Sequence, residues 1–280
     1  MGPTPTLGTY QIINCMYPIL FKLGNFSIES YWVFMILGFI FGGAVICWQT
    51  KRENLNFHKA IHLIIISIIS GLVGSRLGDV LLNFNSYQKD LISIFQFWQG
   101  GFSWQGGFIV ALLTILWLLK NDKENLGKWL DAGILGILLG HSIGRIGCFL
   151  HGCCYGIVTN VPWAIKFPSL GDNFLRHPTQ LYESFSYLLI FFFLIYYSKK
   201  IKLKNGSLML IGTAFHSLAR FIIEYFRYNT DFIYQGKIWY FTLSYAQLTA
   251  LVIIIFSLLI LLKINYKKGN LLIATEKNTN

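Results

Sequence analysis

Residues 140–156 read GHSIGRIGCFLHGCCYG, an apolar helical run into which the chain sets Arg145, His141 and His151, three cysteines and five glycines. Polar groups of this kind are costly inside a bilayer, where no water satisfies them. The stretch therefore reads as the wall of a functional site at the end of a membrane helix.

Composition agrees with that setting. Of 280 residues, 54% are hydrophobic and only 12% charged, too little polar surface to coat a soluble globule of this size. The net charge of +11 would point to nucleic acid if it lay on one face of a soluble fold, but the lysines fall between apolar runs, and no nucleic-acid partner is expected. Cys15 and Cys47 are isolated while Cys148, Cys153 and Cys154 cluster, which is not a disulfide framework. The first twenty residues lack the pattern of a removable signal.

Outward from the opening stretch, apolar runs near the length of about 20 residues needed to cross a hydrocarbon core recur over 31–48, 59–82, 104–119, 130–150, 181–197, 208–226 and 241–262. The expected fold is an all-α integral membrane protein of about seven transmembrane helices. Residues 1–30, broken by Pro3, Pro5, Pro18 and Gly24, form an N-terminal interfacial segment; 31–263 form the transmembrane domain; 264–280 form a cytoplasmic tail. Lys51, Arg52, Lys59, Lys120, Lys123, Lys128, Lys199, Lys200, Lys202 and Lys204 all follow odd-numbered spans, with Lys263, Lys267, Lys268 and Lys277 in the tail. Lys22, Lys89, Lys166, Arg176, Arg227 and Lys237 lie on the other side. By the positive-inside rule the N-terminus is outside, the C-terminus is cytoplasmic, and the opening stretch ends toward the outer leaflet.

Gly136, Gly140 and Gly144, flanked by Gly133 and Gly147, form a stripe that lets a neighbouring helix approach closely. Arg76, Arg145 and Arg220 stand in or at the ends of spans, where a charge costs about 2.5–3.5 kcal/mol at mid-membrane. Either each pairs with an acid to hold the bundle, as Arg220 would with Glu224, or they bind an anion. Guanidinium suits a phosphate, and in lipid the phosphate belongs to a headgroup. His216, Arg220, Glu224 and Arg227 share one helical face, with Arg227 at the outer boundary as a solvated helix end in the bland reading. Arg176-His177-Pro178-Thr179-Gln180-Leu181-Tyr182-Glu183 opens the fifth span with titratable groups entering together. Cys148, His151, Cys153 and Cys154 lack the paired spacing of zinc ligands. Neither metal nor cofactor is expected there; small-residue packing is, with a Cys148–Cys153 disulfide as the alternative at an oxidising face.

Four motifs, Gly144-Arg145-Ile146-Gly147-Cys148-Phe149 to Gly156, Arg176 to Glu183, Arg220 to Arg227, and Gly100-Gly101-Phe102-Ser103-Trp104-Gln105-Gly106-Gly107, occur in the order found in prolipoprotein diacylglyceryl transferases, and the chain resembles that family over nearly its whole length. The resemblance implies a multi-pass enzyme of the bacterial inner membrane. It would move the diacylglyceryl group of phosphatidylglycerol onto the lipobox cysteine thiol of prolipoprotein signal peptides, releasing glycerol phosphate. By position, Arg145 and Arg220 match the family's essential arginines, Glu183, Glu224 and Arg227 its polar site residues, and Asp131 and Tyr31 further motif positions. Phosphatidylglycerol would then lie against Arg145, Arg220, Arg227, Tyr31, Gln105, Gly144 and Cys148. Three positions depart from the family pattern: Gln105 replaces a histidine proposed as general base, Cys148 an asparagine, and His216 a tyrosine. His216 or His177 is expected to take the base's role, unless no dedicated base is needed. A paralogous enzyme acting on another lipid or thiol, and a transporter, are the alternatives; the transporter would show an internal repeat, and none is evident.

Overall fold

The computed structural model of the chain describes residues 16–23, 26–88, 90–97, 100–201, 203–228 and 243–277. Cys15, Lys89, Trp98, Lys202, Lys237 and most of the expected interfacial segment lie outside them. The described end of that segment is an antiparallel hairpin, β1 (Ile19–Leu23) and β2 (Phe26–Glu29), which keeps Phe21 exposed and ties Ser30 N–H to the Pro18 carbonyl at 2.9 Å.

The helices are α1 (Ser30–Arg52), α2 (Phe57–Leu82), the single turn α3 (Phe84–Tyr87), α4 (Trp104–Leu118), α5 (Leu126–His151), α6 (Thr179–Lys200), α7 (Ser207–Glu224) and α8 (Tyr245–Lys277). Among the described residues, six are long and apolar enough to cross a membrane, α8 through Tyr245–Ile264. The expected third span, α4, is apolar but has 15 residues. At 1.5 Å per residue that is about 22 Å, short of a hydrocarbon core of about 30 Å. The protein is thus a mostly helical membrane protein, with six candidate spans and one shorter apolar helix among the described residues.

The chain forms two compact units, one from Met1–Gly42, Ile134–Leu203 and Leu210–Asn280, the other from Gly43–Gly133 and Lys204–Met209. In the second unit α2 lies along α4, with Gly74 and Gly78 facing Gly106 so closely that a Cβ at Gly74 would stand 2.5 Å from Val110 Cβ. Arg76 in α2 is buried, and it departs from the anion-binding expectation. Its guanidinium donates to the carbonyls of Ser93, Ile94, Gln96, Gly100 and Gly101 and packs over Tyr87, so the 91–101 connection wraps it. Asp131 likewise has a structural use. Its carboxylate accepts the backbone N–H groups of Gly206 (2.7 Å) and Met209 (2.8 Å), satisfying donors that the first turn of α7 cannot bond internally.

In the first unit the glycine stripe does bring α5 against α1. A Cβ on Gly140 would lie 2.8 Å from the Gly38 carbonyl oxygen, one on Gly42 2.7 Å from that of Gly136, and one on Gly147 2.7 Å from Phe34 Cβ. The stripe is shorter than its spacing suggests, because a Cβ on Gly144 would make only an ordinary contact with Met35 and one on Gly133 would meet open space. Gly140→Ala is expected to destabilise by about 1–3 kcal/mol, as overpacking does, and Gly133→Ala to be neutral or stabilising. Thermal unfolding of both variants in detergent micelles checks the contrast.

Candidate active site

Three helices of the first unit carry the charges to one place. Arg145 lies less than two turns from the C-terminal end of α5, Glu183 in the second turn of α6, and Arg220 one turn before the end of α7, with Arg227 just beyond it. Arg145 Nε pairs with Glu183 Oε2, Arg220 Nη1 with Glu183 Oε1 at 2.9 Å, and Arg227 Nη1 with the same oxygen at 3.5 Å. Arg220 Nη2 also reaches Glu224 Oε2 at 2.7 Å, and Ser244 Oγ donates to Glu224 Oε1 at 3.0 Å. The sequence reading set bundle-holding pairs against an anion site; Arg220 does form the expected pair with Glu224, and it pairs with Glu183 as well. Arg227 is not a solvated helix end: it is held by its charge contact with Glu183 and by a backbone bridge to Gly156.

The cluster is unbalanced in two senses. Among the described residues, three guanidiniums face two carboxylates, an excess of one positive charge. The acid side chains are 2% and 4% exposed while the arginines keep 15–21%, so an entering group meets guanidinium rather than carboxylate. Paired planar donors with residual exposure are suited to a phosphate.

One helical turn deeper on each of the same helices stand His141, Tyr187 and His216. Their rings stack, Tyr187 against His216 at 4.4 Å and against His141 at 4.7 Å between centroids, and His216 Nε2 lies 3.3 Å from His141 Nδ1. The sequence reading gave His216 a role, placed His141 only in the wall of the site and did not name Tyr187; their spacing of four from Arg145 and Glu183 was the signal. Ser142 and Ser184 also join α5 to α6, each hydroxyl donating to the other's backbone carbonyl at 2.8 and 2.9 Å.

The connection from α5 to α6 closes the site's edge. Short strands β3 (Ile165–Lys166) and β4 (Leu175–Arg176) pair, and Arg176 is spent on Asp172 (2.7 Å) and on the rings of Tyr155 and Tyr228. His177 is buried, with Nδ1 3.0 Å from the Tyr182 hydroxyl, and burial holds its imidazole below the ordinary histidine value. Thr179 Oγ1 donates to the Cys154 carbonyl at 2.8 Å and Gln180 Nε2 to the Cys153 carbonyl at 2.5 Å. Cys148, Cys153 and Cys154 are partly buried free thiols, so the disulfide alternative is not formed. Tyr31 lies at the same end, its ring 6.0 Å from that of His151. Gln105 belongs to the second unit, where Ser103 Oγ donates to it at 3.2 Å near the start of α4.

Residues 18–263 match the family model described as Prolipoprotein diacylglyceryl transferase. The chain belongs to the prolipoprotein diacylglyceryl transferase family. It is 34% identical over 259 residues to the phosphatidylglycerol–prolipoprotein diacylglyceryl transferase of Clostridium botulinum (strain Hall), covering 90% of this chain and 99% of that one. The enzyme of the same name from the Wolbachia of Culex pipiens is 34% identical over 256 residues, covering 88% and 94%. The family is one of transferases, and the arginine and glutamate positions carried over from its motifs are the ones that converge here.

Glu183→Gln would leave three guanidiniums facing one another, and is expected to cost about 3–5 kcal/mol, toward the lower end because the arginines retain some solvent. Adding Arg145→Gln should restore part of that loss. A double-mutant cycle by thermal unfolding in micelles measures the coupling.

Proposed function

We propose that the chain transfers the diacylglyceryl group of phosphatidylglycerol to the lipobox cysteine of a prolipoprotein, releasing glycerol phosphate, as the first step of lipoprotein maturation. The observation that carries this reading is the convergence of Arg145, Arg220 and Arg227 on one buried carboxylate, with one positive charge in excess among the described residues. A phosphodiester brings one negative charge to that excess. When the carbon–oxygen bond breaks, the departing phosphate gains a second, and preorganised guanidiniums stabilise charge that develops in the transition state more than charge already present.

Glu183 and Glu224 act by orienting the arginines. The acceptor thiol, with an ordinary pKa near 8.5, must lose its proton. Two imidazoles serve this: His177, which burial keeps neutral at pH 7, and His216, one turn from Arg220. Tyr31, Gly144 and Cys148 would flank the lipid. The membrane is the bacterial inner membrane with the site toward the outer leaflet, a reading supported by the lysine and arginine distribution.

Arg145→Ala is expected to lower transfer from phosphatidylglycerol to a lipobox peptide by at least about 100-fold, the loss typical of removing one charge-stabilising donor. The same variant should fail to rescue a strain depleted of its own transferase, whereas the wild type should succeed; well-expressed wild-type protein that fails would sink the reading.

The acid limb of the pH–rate profile should fall below the free histidine value of about 6.5, because a depressed imidazole stays neutral, and able to accept a proton, to lower pH. Undiminished transfer at neutral pH in the His177→Ala/His216→Ala double variant would rule out an imidazole acceptor.

A further inference from the structure

Cys148, Cys153 and Cys154 lack the paired spacing of zinc ligands, yet their three sulfur atoms lie within 4.8 Å of one another. Tetrahedral zinc with sulfur ligands at about 2.3 Å requires sulfur–sulfur separations near 3.8 Å, so closure on an ion takes movements of about 1 Å or less. The neighbouring residues 153 and 154 can both contribute because Cys154 adopts φ 62°, a left-handed conformation uncommon for a residue with a Cβ. That turn is held from outside. Thr179 and Gln180, each 1% exposed, grip the carbonyls of Cys154 and Cys153, and the Cys153 N–H bonds the Cys148 carbonyl at 3.2 Å.

The cluster's place relative to the charges is fixed twice. Cys148 is one turn beyond Arg145 on α5, and Gln180 one turn before Glu183 on α6, a rise of about 4.5 Å along each helix. We propose that Cys148, Cys153 and Cys154 bind zinc through three thiolates and leave its fourth position for the thiol of the acceptor cysteine. Three protein ligands with one open position is the arrangement of catalytic zinc, thiolates select a thiophilic ion, and a coordinated thiol loses its proton.

This proposal rests on the transferase reading and gives it a chemistry. The acceptor S–H bond breaks as its sulfur binds zinc, the proton passing to an imidazole acceptor. The zinc-bound sulfur then forms the C–S bond to the glyceryl carbon, and the C–O bond breaks with its electron pair leaving on the phosphate. The product is a neutral thioether, a weaker ligand than thiolate, so it leaves the ion. Thiol activation by coordination also accommodates Gln105 at the position where the family pattern has a histidine.

The test uses the full chain in detergent, kept reduced, stripped of metal and titrated with cobalt(II). About one cobalt per chain should bind with a sulfur-to-cobalt charge-transfer band and the ligand-field bands of tetrahedral coordination, and zinc should displace it. Cys153→Ser should weaken binding on the order of 10–100-fold, a ligand loss at least as costly as an outer-shell one, while Cys47→Ser leaves it unchanged. A lipobox peptide should shift the ligand-field bands and its serine analogue should not. Absence of the charge-transfer band, a peptide-insensitive spectrum, or a Cys148–Cys153 disulfide in the isolated protein would overturn the proposal. So would undiminished transfer by metal-stripped protein, an outcome that leaves the transferase reading intact. The expected spectra in a protein that transfers no diacylglyceryl group would sustain the zinc site and sink that reading instead.

Discussion

A single carboxylate, Glu183, is shared by guanidiniums from α5, from α7 and from the turn after α7. Isolated, any of these charges would be expelled from an apolar bundle or neutralised. Together they fix the register of three helices, since moving one by a turn would leave a buried ion without a partner. The glycine contacts between α1 and α5 and the reciprocal serine bonds between α5 and α6 bring the backbones near enough for short polar reach. Packing and charge are therefore one constraint.

That arrangement reconciles cohesion with function. A set of fully matched ion pairs would hold the bundle but have nothing left for a ligand, and unpaired arginines would not stay in place. Two acids buried beneath three partly exposed arginines would do both on the proposed reading: the carboxylates order the guanidiniums, whose exposed edges are left for a ligand.

The helices were legible in the sequence because lipid imposes long apolar runs, and the site arginines because charge in such a run is anomalous. Identity alone did not sort them: Arg76 looks like Arg145 in sequence, but the 91–101 connection spends its donors on carbonyls, a fate that only the folded loop reveals. Asp131 read as a motif residue and turned out to cap α7 across a long sequence separation. The N-terminal hairpin was missed because its strands are short and flank residues dominated by turn formers. The thiol cluster was discounted on spacing, since no linear rule anticipates a left-handed residue that turns adjacent cysteines together.

The stacked layer of His141, Tyr187 and His216 bears on depth. With Tyr187 wholly buried and its ring flanked at 4.4 and 4.7 Å, the layer is a floor across the three helices that carry the arginines. It covers the arginine cluster on its deep side. On the proposed reading a headgroup would seat against this layer, so the rings would set how far into the bundle a lipid phosphate can travel.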